Sequence, residues 1–176
     1  RHFLLDLAPF ERFDLEMARM VSGDPRTGNL LDWLLHNTTM LRYDDVRHFH
    51  FWPQFRAFLL WEMEKECSEE KRRAVFSRGA LYYELKEDYA HALECYTKSG
   101  DHAKISELLI RNSEQHPGMG HYSEMEKYYR ALPESEILAS PSLMQGMSML
   151  CALAMDYEGS ERWYGALKNF ADCRKK

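Results

Sequence analysis

The sequence lacks the short motifs that mark common catalytic, metal-binding and nucleotide-binding sites. Its four cysteines are widely spaced and form no CxxC pair, so they predict neither a metal centre nor a disulfide framework. It contains no GxxxxGKS or GxxxxGKT loop, so the chain cannot hold nucleotide phosphates in that way by itself. HExxH, GxSxG and Ser-His-Asp arrangements are also missing. We therefore expect no catalytic residues, no metal site and no enzyme activity in this segment.

Positive charge and long apolar runs are scarce as well. The 23 Lys and Arg residues are outnumbered by 28 Asp and Glu residues, and the net charge of −5 argues against a nucleic-acid surface. The longest apolar run, near residues 143–155, is too short to cross a membrane. The start, RHFLLDLAP, is no signal peptide because Asp6 interrupts its short apolar part. Four cysteines beside ten methionines fit a reducing cytosol, so we expect a cytoplasmic protein.

The N-terminal segment, residues 1–66, has the pattern of a partial winged helix. Two helical stretches are followed by two short strand candidates, residues 40–43 and 47–51, with a turn at Asp44 and Asp45. Pro53 opens a long helix, as proline does in a first turn. The apolar stripe predicted for that helix is Phe55, Phe58, Leu59 and Met63. Helix, helix, hairpin and helix follow one another as in a winged-helix domain without its first part.

The second segment, residues 67–176, has the pattern of tetratricopeptide-like helical pairs. Between residues 76 and 101, small and aromatic side chains alternate along two helices joined by a turn, although Gly79 stands where the repeat usually has leucine. Ser68 and Asp101 are predicted helix caps, and Ser160 is predicted to cap the last helix. An ordinary helical hairpin is the alternative for the first pair. The predicted fold class is therefore mainly α, a partial winged helix with a short β-hairpin followed by an α-α superhelix.

Four sequence segments resemble one known family. They are LLDLAPFERFDLEMARMVSGD, FHFWPQFRAFL, EDYAHALECYTKSGDHAKISELL and MEKYYRALPESEILASPSLM. In this order and spacing they are similar to the ATP-dependent LuxR-type (MalT-like) transcription regulators of bacteria. The resemblance implies a signal-transduction ATPase with a nucleotide-binding part, a winged helix, a superhelix that senses an inducer and a C-terminal DNA-binding domain.

The resemblance also sets what this chain contributes. It would supply only the end of the winged-helix segment and the start of the helical sensor, and the lack of an initial Met fits an excised fragment. We therefore expect no cofactor here, although ATP or ADP is expected for the full-length protein. DNA would be bound only through the C-terminal domain outside this sequence. An unknown small-molecule inducer or a protein partner would bind the superhelix, and no membrane contact is expected.

Two sets of residues are candidates for binding. In the related ATPases a histidine of the winged helix senses nucleotide, and the family's histidine aligns with Trp52, so His50 is a possible substitute; the alternative is that Trp52 is a core residue. His48 and His50 also have a spacing that two metal ligands could use, although two surface histidines explain it better. The repeat register predicts a ligand or partner groove that includes Ser77, Leu81, Tyr82 and Glu84.

Two functions follow as hypotheses. The first is a regulatory fragment of a MalT-like regulator, in which the superhelix binds an inducer or partner and is coupled to an ATP-dependent switch. The second is a tetratricopeptide-like scaffold for protein partners without nucleotide coupling. A hydrolase with an unrecognised site is the third and weakest.

Overall fold

The computed structural model describes residues 2–115 and 119–173, and it confirms the predicted fold class. Over the described residues the chain is mainly helical and carries one two-stranded antiparallel sheet. The chain folds into two compact units, of which the first ends at Ser99 and the second begins at Gly100. Within the described ranges, no helix combines the length and apolar character that a membrane span requires.

The first unit contains six helices and the hairpin among its described residues. They are α1 (His2–Leu7), α2 (Leu15–Ser22), α3 (Thr27–Asn37), β1 (Leu41–Tyr43), β2 (Phe49–Phe51), α4 (Pro53–Glu66), α5 (Glu69–Leu85) and α6 (Tyr89–Ser99). Two predicted helix starts are confirmed. Pro53 lies in the first turn of α4, and Ser68 caps α5, since the backbone N–H of Lys71 donates to its hydroxyl at 3.2 Å. Gly23, with a φ of 64°, ends α2 in the left-handed conformation that favours glycine.

The hairpin is fixed to the helices through Phe13. β1 and β2 pair so that Leu41 lies opposite Phe51. Phe13 forms an isolated bridge with Phe49, in which each backbone N–H donates to the other carbonyl at 3.1 and 2.7 Å. The Phe13 ring is buried between the rings of Phe49 and Phe51, with centroid separations of 5.9 and 5.4 Å. The α1–α2 connection therefore belongs to the same core as the hairpin.

The apolar stripe predicted for α4 is only partly correct. Leu59 and Met63 are buried, as is Glu62. Phe58, however, is 52% exposed and packs with the equally exposed Trp61, so its assignment to the core stripe is wrong. Phe58 lies one turn before the buried Glu62, so the helix period alone does not account for its exposure.

The second unit is built around a central apolar helix. Its helices are α7 (His102–Gln115), α8 (Met119–Ala131), α9 (Glu134–Leu138), α10 (Pro141–Leu153) and α11 (Tyr157–Cys173). The buried residues of α10 include Leu143, Met144 and Leu150, and α10 packs against the other four described helices of this unit. Asp101 caps α7 as predicted, because the backbone N–H of Lys104 donates to its carboxylate at 3.1 Å.

The predicted start of the last helix is wrong. α11 begins at Tyr157, one turn before Ser160, and Asp156 accepts a hydrogen bond from the N–H of Gly159 at 2.9 Å. Asp156 is therefore the cap, and Asp is as good a cap as Ser. Ser160 lies inside α11, where its carbonyl accepts a hydrogen bond from the Ser148 hydroxyl at 3.0 Å.

The compact units do not divide at the predicted segment boundary. The first helical pair, α5 and α6, belongs to the same unit as residues 2–66. α5 packs against α2 as well as against α6. The division into a winged-helix-like segment 1–66 and a repeat segment 67–176 stays a prediction, because a compact unit can contain parts of both segments.

Candidate functional site

The contact between α5 and the α1–α2 connection depends on Gly79. A Cβ atom at Gly79 would lie 2.3 Å from Cε1 and 2.4 Å from Cζ of Phe10. Phe10 is buried, and its ring packs edge-on against Phe76 with the ring centroids 6.4 Å apart. A glycine allows this approach because it has no side chain. The ring of Phe10 thus occupies the space that a leucine of the usual repeat would fill.

Asp14 connects α2 to α5 with its two carboxylate oxygens. Oδ1 accepts a hydrogen bond from the N–H of Met17 at 2.7 Å and so caps α2. Oδ2 accepts a hydrogen bond from the hydroxyl of Tyr82 at 2.7 Å. Burial, and next the Asp14 carboxylate, raise the pKa of the buried Tyr82 hydroxyl, which therefore remains a donor at neutral pH. One carboxylate joins the beginning of α2 to the last turn of α5.

Two ion pairs lie at the ends of α5. Just after the helix, Nζ of Lys86 is 2.6 Å from Oε2 of Glu16. Both side chains are about half exposed, so solvent weakens this ion pair. In the first turn, Nζ of Lys71 is 3.6 Å from Oδ1 of Asp6. Asp6 is buried, and this burial raises the pKa of its carboxyl while Lys71 opposes the shift. We call this set of contacts between α5 and residues 6–17 the junction.

A cavity of about 650 Å³ lies beside the junction. Its walls are residues 9–14, the first turn of α2, His48, Arg56 and the facing sides of α5 and α6. Arg56 fixes one wall, since its Nε and Nη2 donate to the carbonyls of Ala8 and Pro9 at 3.0 and 3.1 Å. The volume falls among small-ligand sites, which measure roughly 300–1,000 Å³.

The lining of the cavity suits binding better than covalent chemistry. The rings of Tyr83 and His91 stack with centroids 5.0 Å apart, and Nδ1 of His91 is 2.8 Å from Oδ2 of Asp88. Burial raises the pKa of the Tyr83 hydroxyl to about 12 and that of the Cys95 thiol to about 11. The thiol is therefore protonated at neutral pH, and a thiol is a poor nucleophile. Aromatic faces and hydrogen-bonding groups remain for recognition.

Three of the four predicted groove residues share one face of α5, and Tyr82 lies on another face. Tyr82 lines the cavity, but it is buried and bound to Asp14. Ser77 and Glu84 are half-buried and Leu81 is exposed, and none of these three lines the cavity. Glu84 accepts a hydrogen bond from the Tyr96 hydroxyl at 2.8 Å. A groove formed by these four residues stays a prediction.

His50 lies within β2, and Trp52 lies between β2 and α4. Trp52 is 37% exposed at the start of α4, so it is not a core residue, and the guanidinium carbon of Arg42 lies 3.7 Å above its ring. His50 pairs with Arg42 in the β register and is half-buried. A role of Trp52 or His50 in nucleotide sensing stays a prediction. Within residues 2–115 and 119–173, no group of three or more His, Cys, Asp or Glu side chains could hold a metal ion.

Apart from Tyr82, sequence reasoning did not assign the residues that form the cavity to a binding site. On α6 they repeat at His91, Cys95 and Lys98, a spacing of one helix face that could have been recognised as a stripe. The opposite wall, residues 9–14, has no secondary-structure period to recognise. Only the folded chain brings the two walls together.

The hairpin between helices, with α1 to α4 around it, defines the N-terminal part of the chain as a winged-helix segment. Residues 1–71 match the family model of the MalT winged helix domain. The match covers 71 of the 176 residues, and the N-terminal part of the chain is thus similar to that domain. No curated protein matches the chain.

Proposed function

We propose that this chain is a regulatory fragment of a bacterial LuxR-type, MalT-like transcription regulator. The observation that carries the proposal is the match of residues 1–71 to the MalT winged helix domain. The helical pairs that follow would form the start of a sensor that binds an inducer or a protein partner. ATP or ADP and DNA would be bound by parts of a longer, cytoplasmic protein, and no catalytic step is assigned to this segment.

The junction is the proposed coupling element. Asp14 with Tyr82, and Glu16 with Lys86, join the winged-helix segment to the first helical pair. These contacts would be kept in one arrangement of the pair relative to the winged helix and broken in another. A ligand that favours one arrangement shifts the equilibrium by its difference in affinity for the two arrangements. Binding on the helices would in this way bias a nucleotide-dependent switch elsewhere in the protein.

Nucleotide sensing at the hairpin is a second part of the proposal. Trp52 stands where the family has a histidine, and it is accessible, whereas Nδ1 of His50 is buried without a hydrogen-bond partner among the described residues. The stacked pair of Trp52 and Arg42 is therefore better placed than His50 to meet a nucleotide. Guanidinium groups are suited to phosphate because they donate two parallel hydrogen bonds.

The test uses the full-length protein. Its affinity for the inducer is measured with ATP and with ADP bound, and the proposal predicts different affinities, a difference that Tyr82→Phe reduces. Tyr164→Phe is the matched control, since that hydroxyl lies on α11 outside the junction. Equal affinities in both nucleotide states contradict the proposal. In the coding sequence, a phosphate-binding loop upstream and a helix-turn-helix downstream support it, whereas their absence favours a scaffold without nucleotide coupling.

A further inference from the structure

The cavity at the junction has the form of a groove along α6. Its lining residues on this side run from Asp88, just before the helix, to Lys98 in the last turn. At a rise of about 1.5 Å per residue the groove is about 15 Å long. An extended polypeptide rises about 3.3 Å per residue, so about four residues fit along it.

The floor of the groove is aromatic. Phe76 and Tyr83 are half-buried and lie two turns apart on the same side of α5. Phe10 closes the space between them from the winged-helix side. His91 continues the floor onto α6 through its stacking on Tyr83. Such a floor suits an aromatic or aliphatic side chain, because aromatic faces bury much area with little loss of side-chain freedom.

The rim of the groove carries both charges in equal number. The lining contains four basic and four acidic side chains, so its formal charge is zero with the histidines neutral: Arg12, Arg56, Lys86 and Lys98 against Glu11, Asp14, Asp88 and Glu94. This balance does not select a polyanion or a polycation. Arg56, Lys86 and Lys98 already have partners within the chain. Carboxylate and guanidinium groups have further acceptor and donor sites, and a peptide backbone can use both, since each peptide unit has one donor and one acceptor.

We propose that the groove binds a short, extended peptide segment that is neutral overall and places one apolar side chain on the Phe76–Tyr83 floor. The inference rests on the proposed function in one respect, because it names a partner for the same junction. A bound peptide would contact residues 9–14 and α6 together, and it would therefore stabilise the docked arrangement by mass action.

The binding test uses the 176-residue chain labelled with ¹⁵N and followed by NMR. The probe is the tetrapeptide Glu-Phe-Ala-Lys, both with free termini and with blocked termini. Saturable shifts are expected at the amides of Tyr83, His91 and Cys95, with a Kd of roughly 10 μM to 1 mM. Saturation by the blocked form, with or without the free form, is the result expected for a segment of a partner protein and supports the proposal. Saturation by the free form alone indicates a small peptide ligand and contradicts it.

Variants locate the binding. Tyr83→Ala and His91→Ala should each weaken binding about tenfold, and His91 is exposed enough that its replacement leaves the fold intact. Leu85→Ala is the matched control on α5, since Leu85 is 63% exposed and does not line the groove. The proposal is overturned if neither peptide gives saturable shifts at a peptide concentration of about ten times the upper Kd. It is also overturned if His91→Ala binds the peptide as tightly as the unchanged chain, or if ADP alone shifts the amides of Tyr83, His91 and Cys95. The measurement involves neither nucleotide coupling nor DNA, so its failure leaves the regulatory proposal standing.

Discussion

Gly79→Ala is the change that tests the docking of α5 on the winged-helix segment most sharply. The added methyl group would lie 2.3 Å from Cε1 of Phe10, whereas carbon atoms in contact are about 3.5–4.0 Å apart. Phe10 is packed against Phe76 and also lines the cavity, so relief of the overlap must displace the ring from Phe76 or toward the cavity. Either the ring or α5 must move by roughly 1 Å to relieve the overlap.

The expected cost is the balance of two terms. Overpacking a filled core costs about 1–3 kcal/mol, and replacing a helical glycine by alanine recovers about 0.5–1 kcal/mol. We therefore expect Gly79→Ala to lower the free energy of opening of the first unit by up to about 2.5 kcal/mol. Phe10→Leu in the same background should restore part of the loss, because a smaller side chain makes room for the methyl group.

Native-state hydrogen exchange of backbone amides in α2 and α5 measures this quantity. Gly165→Ala is the matched control, since a Cβ atom at Gly165 meets nothing within 4 Å. That change should stabilise α11 by up to about 1 kcal/mol. The reasoning is refuted if Gly79→Ala increases protection as Gly165→Ala does, because Phe10 would then not occupy the space beside α5.

The other expectations concern the polar contacts of the junction. Tyr82→Phe removes a hydrogen bond to the Asp14 carboxylate and should lower the stability of the first unit by about 1.5–3 kcal/mol. Its control is Tyr164→Phe, at a residue 62% exposed, which should change stability by less than about 0.5 kcal/mol. Equal effects of the two variants in a urea titration would contradict the hydrogen bond between Tyr82 and Asp14. Asp6→Asn should increase stability at pH 7, because burial raises the pKa of this carboxyl and so makes its charged form unfavourable in the folded chain. That gain should shrink as the pH falls through the raised pKa toward the ordinary value of 3.8, and a gain that is constant with pH would refute it.

The sequence predicted what depends on neighbours along the chain. Ser68 and Asp101 act as caps because a cap needs only the N–H groups two or three residues later. The hairpin was predictable from the alternation of Phe49 and Phe51 between polar residues. Ser160 was wrongly preferred as a cap because Asp156, an equally good cap, lies one turn earlier.

Contacts between distant residues were not predictable from local patterns. The hydrogen bond from Tyr82 to Asp14 joins residues 68 positions apart. Phe58 has the residue type of a core position, but nothing in the local spacing distinguishes its face of α4 from the face of Leu59. In the sequence Gly79 is only a departure from the leucine of the usual repeat, and its contact with the Phe10 ring is visible only in the folded chain. The groove followed only from these tertiary contacts.

The central claim is that the junction couples a helical sensor to a nucleotide-dependent switch. The most direct measurement is hydrogen exchange of residues 9–17 and 76–98 in the full-length protein, with ADP and with a non-hydrolysable ATP analogue. The account predicts different protection in the two nucleotide states at both segments, because the contacts of Asp14 with Tyr82 and of Glu16 with Lys86 are kept in one arrangement and weakened in the other. Identical protection of both segments in the two states would contradict it.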